Sequence, residues 1–228
     1  MAIRMNIHAV ALALLAAFIF SSNVNATVIE DFEGGIAGYA NNASGTLSAA
    51  HAHDGSFGLG TDAGEWIYRT DSLVSAGDTL SVWIQFADTS EGRAYFGFGT
   101  GAGGTQSFVL APNTGDIRFQ DNFGFGFSEL DSVAQAFLAD HWYRAEVVWG
   151  AAGAVTGNLY DSDGTTLLNS VSSTVSFSSS GGIAFPGFSG VKAFDTVEIV
   201  DGAVPVPAPL ALFGMGLLGL GFIRRKLN

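Results

Sequence analysis

Between two apolar ends, the chain alternates apolar and polar residues in short stretches broken by Gly, Ser, Thr and Asn, with no sustained helical period. Successive side chains of an extended backbone point to opposite faces, so each alternating stretch predicts a half-buried strand. Thr79–Phe86 places Leu80, Val82, Ile84 and Phe86 on one face; Trp142–Trp149 places Tyr143, Ala145, Val147 and Trp149 on one face, with Arg144 and Glu146 opposite. Further strands are predicted at 65–70, 95–99, 107–111, 116–120, 157–161, 171–177 and 193–200. Pro112-Asn113-Thr114-Gly115 and Asp161-Ser162-Asp163-Gly164 carry the residues that tight turns favour and read as hairpin connections. The helical candidate of this region is residues 132–139, one or two turns at most. About ten short strands in one stretch predict an all-β antiparallel sandwich or barrel, and the order of features favours a jelly roll.

The ends follow different rules. Arg4 precedes an uncharged run, residues 9–20, that is too short to span a bilayer, which takes about 20 residues. Val24 and Ala26 are the small residues that a signal peptidase needs three and one positions before its cut, placing the mature start at Thr27. The competing reading, a buried N-terminal helix, does not explain why charge, apolar length and cleavage site agree. At the other end, Val204-Pro205-Val206-Pro207-Ala208-Pro209 is followed by an uncharged apolar stretch, residues 210–223, and then by Arg224, Arg225 and Lys226. Prolines make a stiff spacer, the apolar stretch approaches bilayer length, and three adjacent cations stop transfer on the cytoplasmic side. The expected organisation is a signal peptide at 1–26, a β-sandwich domain at 27–203 and a membrane-anchor tail at 204–228, with a helix in each apolar end. This three-part tail resembles the PEP-CTERM sorting signal of Gram-negative bacteria, although Val206 stands where Glu is commonest. The resemblance implies handling by an exosortase-type membrane protease, transient inner-membrane anchoring, and a final place on the cell surface or in the extracellular matrix. Some proteins with this tail are described as ice-binding; the tail is an address and does not define its cargo.

Charge narrows the partners. All 21 Asp and Glu lie between the two ends, against five cations, Arg69, Arg93, Arg118, Arg144 and Lys192, for a net charge of −16. Phosphate binding needs clustered cations, so nucleic acid is not an expected partner. An acidic surface suits a salty exterior, divalent cations or simple solubility. With no cysteine, thiol catalysis and thiolate metal sites are excluded.

Several segments resemble concanavalin A-like and carbohydrate-binding-module sandwiches: Glu30-Asp31-Phe32-Glu33-Gly34-Gly35 at the start, His53-Asp54-Gly55-Ser56-Phe57-Gly58-Leu59, Asp140-His141-Trp142-Tyr143-Arg144-Ala145-Glu146-Val147, and Phe194-Asp195-Thr196-Val197-Glu198-Ile199 at the end. The resemblance implies that the first and last strands are neighbours. It also implies one structural Ca2+, with Asp31, Glu33, Asp54 and Asp195 as candidate ligands, since Ca2+ takes about six to eight oxygen ligands. The competing reading is four solvated strand-end carboxylates. His51 and His53 would share a strand face and bind zinc with Asp54 or Asp62, but two ligands do not make a site, and a surface pair in a turn is the simpler reading. No internal strand carries the paired carboxylates of a sandwich glycosidase; Glu30, Asp31 and Glu33 sit at the mature terminus, and Asp161 and Asp163 lie in a turn. Gly-x-Ser-x-Gly is absent. Phe119, Phe123, Phe125 and Phe127 are crowded, and the last three would line one strand face. With Trp83 and Tyr95 on solvent-facing positions and Gln85, Arg93, Gln120 and Asn122 near, they compose a candidate sugar platform. Core packing is the stronger reading for the phenylalanines, which leaves Trp83 and Tyr95 as the candidate ligand-binding residues. The expectation is a non-enzymatic surface or matrix protein that binds or coats polysaccharide. A polysaccharide-active enzyme and an ice-binding or adhesive coat protein are the alternatives; the scattered Thr residues argue against the last.

Overall fold

The computed structural model describes residues 26–90 and 92–200. The predicted signal segment up to residue 25, the sorting motif and the stop-transfer cations lie outside these residues, while Ala26, the last residue predicted for the signal, belongs to the first strand. Among the described residues no helix is long and apolar enough to cross a membrane.

The described chain is all-β and antiparallel, as predicted, with fifteen strands: β1 (Ala26–Glu30), β2 (Gly45–Ser48), β3 (Gly58–Ala63), β4 (Ile67–Tyr68), β5 (Val74–Ser75), β6 (Thr79–Phe86), β7 (Arg93–Gly101), β8 (Gly104–Ala111), β9 (Asp116–Phe123), β10 (Ser128–Ala134), β11 (Trp142–Trp149), β12 (Ala154–Tyr160), β13 (Leu167–Thr174), β14 (Ser180–Phe185) and β15 (Gly187–Val200). They fold into two layers. One runs β10-β9-β8-β7-β14, with β4 and β5 on the far side of β14; the other runs β13-β12-β11-β6-β15-β3-β2. β1 also pairs with β15, so the first and last strands are neighbours, as the sandwich resemblance implied.

The alternation sorts side chains as the pattern requires. Leu80, Val82, Ile84 and Phe86 of β6 face Phe96, Phe98, Phe108 and Phe119 of the other layer in one apolar core. Rings cross between layers: Phe98 meets Trp149 edge-on at 5.1 Å, and Phe185 lies 5.3 Å from Phe194. The segment at 132–139 is not helical. Its first residues belong to β10, where Ser132, Val133 and Ala134 pair with Arg118, Ile117 and Asp116, because the edge of β9 offers those backbone groups a ladder that a one-turn helix would leave open.

β7, β8 and β9 depart from the simple pattern, since nearly every residue is buried on both faces. An antiparallel sheet usually leaves its outer face wet. Here Trp66, Tyr95, Val109, Ala111 and Ala184 form a second apolar cluster, with Tyr68 and Phe125 packed against it.

Phe185 is fully buried, with Phe32 and Phe96 at 5.6 and 6.2 Å. Phe185→Ala is expected to cost about 3–5 kcal/mol in urea unfolding of the full-length chain. A loss below about 1 kcal/mol would mean that the site collapses freely and that this ring does not hold the layers together.

Candidate functional site

The outward face of β7 and its neighbours carries a cleft of about 330 Å³ lined by Gly92, Arg93, Tyr95, Asn113, Phe127, Phe188 and Ser189. Tyr95 is placed by β7, Asn113 by the β8–β9 turn, and Phe188 by the start of β15. Phe127 meets Tyr95 at 5.6 Å and Phe188 edge-on at 5.3 Å. Phe127 is 50% exposed and Phe188 37%, whereas the body of Tyr95 is buried. Burial pushes the Tyr95 hydroxyl up, with Arg93 opposing, so the group stays neutral across ordinary pH.

Charged groups hold the cleft's polar rim. Arg93 donates from Nη1 to Glu129 at 2.7 Å, and its Nε faces the Asn113 amide oxygen at 3.4 Å. Arg118, nearly buried, pairs with both Glu129 and Asp116 and donates to Thr114 Oγ1 at 3.0 Å. The hydrogen bond from Arg93, helped by Arg118, holds Glu129 below its ordinary range. Desolvation would raise Asp116, but the bonds from Arg118 and Thr114 outweigh it and bring it down. Two guanidinium groups and two carboxylates therefore neutralise one another at the site.

The structure separates the two residues expected to share a platform. Tyr95 points out of one layer. Trp83 points out of the other, where it stacks on His53 at 3.8 Å with an interplanar angle of 11°, and Trp142 meets the same imidazole edge-on at 5.2 Å. Gln85, two residues along β6, belongs with Trp83. Gln120 and Asn122 share the face of Tyr95 but are fully buried there. The three phenylalanines at 123, 125 and 127 do not line one strand face. β9 ends at Phe123, and Gly124 and Phe125 turn the chain at φ 57° and 60°. Phe123 then meets Phe177, Phe125 meets Tyr68 and Trp66, and Phe127 meets Trp66, Tyr95 and Phe188. Phe119 alone of the four enters the main core.

Asp31, Glu33 and Asp54 do surround one depression, of about 250 Å³, and Asp195 holds the same loop from beneath. The oxygens of three of them serve backbone amides. Asp195 Oδ2 accepts from the N–H groups of His53 and Asp54 at 2.6 and 2.9 Å, and its Oδ1 from Thr196 at 2.7 Å. Glu33 Oε1 accepts from Ser56 and Phe57 at 2.5 and 2.8 Å, and Asp31 Oδ1 from Glu33 at 3.1 Å. Among the described residues no group of three or more His, Asp or Glu side chains comes close enough to hold a metal ion. As placed, three of the four carboxylates cap backbone amides, and that of Asp54 pairs with the His53 imidazole at 2.8 Å. His51 lies at the end of a short 3-10 turn, with Nδ1 3.3 Å from the Thr46 carbonyl oxygen, while the His53 imidazole lies against Trp83 and Asp54, so the pair does not share a strand face.

Asn113 and Phe188 line the cleft but are not singled out by the sequence. The turn sequence at 112–115 placed Asn113 at a hairpin tip without saying which face it would serve. Nothing in the local pattern marks the bend that brings Phe188 to Phe127.

No family model matches the chain, and no curated protein matches it. Among solved structures it is similar to the carbohydrate-binding module CBM66 from Bacillus subtilis, at 14% identity and a TM-score of 0.53 over 78% of this chain and 97% of that one. It is also similar to the exoplasmic/lumenal domain of VIP36 in its Ca2+/Man3GlcNAc-bound form (13%, 0.49, 72% and 85%) and to the galectin LEC-6 from Caenorhabditis elegans (15%, 0.42, 57% and 86%). At these identities the first likeness carries the fold, a jelly-roll sandwich of the kind found in carbohydrate-binding modules.

Glu129→Gln is expected to cost about 1 kcal/mol or less, because Glu129 is half exposed and its pairs are screened. Its native pKa is lowered, so its contribution to stability is present above the unfolded value, about 4.3, and is lost as pH falls through the native value. Acid unfolding curves of wild type and variant should converge below that range; curves that stay apart there would show that the pairing does not set the difference.

Proposed function

We propose that this domain binds neutral polysaccharide at the cleft of Tyr95, Arg93, Asn113, Phe127 and Phe188, and that it works as a non-catalytic surface or matrix module. The observation that carries the reading is the combination of two exposed rings with fixed polar groups in a concave site on the outer face of a sandwich sheet. Apolar ring faces take the C–H face of a sugar, and a few placed polar groups orient its hydroxyls. The fold likeness to a carbohydrate-binding module supports this reading. The acid excess disfavours anionic polymers, because Arg93 and Arg118 are already paired and leave no net positive field at the cleft.

The same charges favour binding over catalysis. A glycosidase needs one carboxyl group held protonated near neutral pH opposite a second, ionised one. Glu129 and Asp116 are both pulled below their ordinary range by arginines. Location rests on the ends of the chain: the signal segment and the tail from Val204 to Lys226 favour export, inner-membrane anchoring and exosortase-type processing. With the tail intact, the chain is expected to fractionate first with the inner membrane and then at the surface. Removal of residues 204–228 should release it without the membrane stage, and unchanged fractionation would remove the anchoring reading.

On an array of neutral polysaccharides, Arg93→Ala and Asn113→Ala should each weaken binding by the full-length chain about tenfold. Trp83→Ala, on the opposite layer, should leave binding unchanged. Binding that follows Trp83 and ignores Arg93 would move the site to the other face, and release of reducing ends would favour an enzyme.

A further inference from the structure

Strand register sets a single row of residues across the outer face of the β7 layer. Tyr68 pairs with Ala184, Ala184 with Gly97, Gly97 with Ser107, Ser107 with Gln120, and Gln120 with Glu129. The neighbours of these residues along their strands, Ile67, Phe96, Phe98, Phe108, Phe119, Ile183 and Phe185, face the core, so the row itself faces outward. Its middle is built of small residues, Ala184, Gly97 and Ser107, between larger ones at each end. That is a trough. Alongside it runs a row of larger residues, Tyr95, Val109 and Arg118, and Tyr95 also lines the open cleft.

The Tyr68–Ala184 end of the trough is covered by the turn that follows β9, while Thr105 stands beside Gly97 and Asn122 bonds Ser107. Phe125 packs into the second apolar cluster, with its ring 4.6 Å from that of Tyr68 and 5.6 Å from that of Trp66. Two backbone carbonyls of the turn take side-chain donors from the face below: Phe125 O accepts from Trp66 Nε1 at 3.1 Å, and Gly126 O from Asn122 Nδ2 at 2.7 Å. A third donor beneath it has no partner. Gln120 is fully buried, its oxygen accepts from Asn122 at 3.1 Å, and its Nε2 makes no hydrogen bond. A buried donor without an acceptor is uncommon because its lost hydration is not replaced. Phe125 holds φ at 60°, a left-handed conformation rare for an aromatic residue.

We infer that the Gly124–Gly126 turn is a flap closed over a second sugar subsite, continuous with the cleft at Tyr95, that a neutral glycan displaces it, and that Phe127 stays in the cleft wall. This rests on the glycan-binding reading above and deepens it. The closed flap offers the face below what a sugar residue would: one apolar ring, in place of the C–H face of a pyranose, and two carbonyl oxygens, in place of hydroxyl oxygens. When it lifts, Trp66 Nε1 and Asn122 Nδ2 become free donors beside Gln120 Nε2, which already waits for an acceptor. Three donors then face a trough floored by Gly97, Ser107 and Ala184, with Tyr68, Trp66 and Tyr95 as ring walls. A closed flap lowers apparent affinity by the fraction of molecules that are shut.

The test uses the full-length chain, ¹⁵N-labelled, with dextran, laminarin and galactomannan as probes. The Trp66 indole N–H resonance, assigned with Trp66→Phe, reports whether the flap leaves. Phe125→Ala removes the plug and is expected to tighten binding about tenfold, or to reveal binding where wild type has none. Gln120→Leu leaves the plug and deletes the waiting donor; it is expected to weaken binding about tenfold. The bound probe should shift the Trp66 indole resonance of wild type. If a probe binds wild type and requires Arg93, yet leaves the Trp66 resonance in place and binds Phe125→Ala within twofold, the flap is structural and the cleft reading stands alone. If none of the probes binds wild type or Phe125→Ala, the glycan reading falls and the flap with it. Should Phe125→Ala fail to fold, Gln120→Leu and the indole shift decide.

Discussion

The architecture depends on one strand belonging to both layers. β15 begins in register with β7, with Gly187 opposite Ala94 and Phe188 opposite Arg93, and ends in register with β6 and β1. Between these stretches Ser189 and Gly190 adopt positive φ and their carbonyls accept the buried Lys192 ammonium at 2.9 and 3.0 Å. A cation so held costs desolvation that carbonyl bonds partly repay. The bend fixes how the two layers meet and therefore which side chains reach the seam. Phe188 stands at that bend, and through it the cleft inherits its position from the connection between the layers and not from any one strand's pattern.

The outer face of β7, β8 and β9 carries a conflict between polarity and burial. Thr105, Ser107, Gln120 and Asn122 are polar, yet all are fully buried. They satisfy one another where they can: Ser107 donates to Asn122 at 2.7 Å, Asn122 to Gln120, and the hydroxyls of Thr100 and Thr105 lie 2.8 Å apart. Such a network holds a unique arrangement only when every member is paired, and here one is not. Sequences that obey local rules everywhere else tend to break them at sites of function. On the other layer the outward polar groups Arg144, Glu146, Asn158 and Tyr160 form a partly exposed set joined through the Glu146 carboxylate.

Much of this was legible from alternation. The face assignments of β6 and β11 follow from counting by twos, and the turns at 112–115 and 161–164 connect the pairs they were expected to connect. β4 falls within the strand predicted at 65–70, but the short strands β2 and β5 were not legible, since two to four residues carry no period, and their pairing is dictated by neighbours far along the chain. Counting by twos also set Phe123, Phe125 and Phe127 on one face, and it failed because Gly124 and Phe125 take left-handed backbone that ends the strand. Trp83 and Tyr95 each occupy an outward position, as alternation required; what the sequence could not say is that β6 and β7, adjacent in order, lie in opposite layers. The acids at 31, 33, 54 and 195 come to the same end of the fold, but composition does not reveal that backbone amides would claim Asp31, Glu33 and Asp195.

The pairing of β1 with β15 sets Ala26 directly opposite Val200. The first and last residues of the folded unit thus leave it at the same corner. Tension applied between them pulls across the ladder, so its bonds break one after another from the open end, as in a zipper, and do not share the load as they would if pulled along the strands. A domain tethered through both of its ends would be mechanically soft. Held through one end alone, it would keep its final strand under no strain at all.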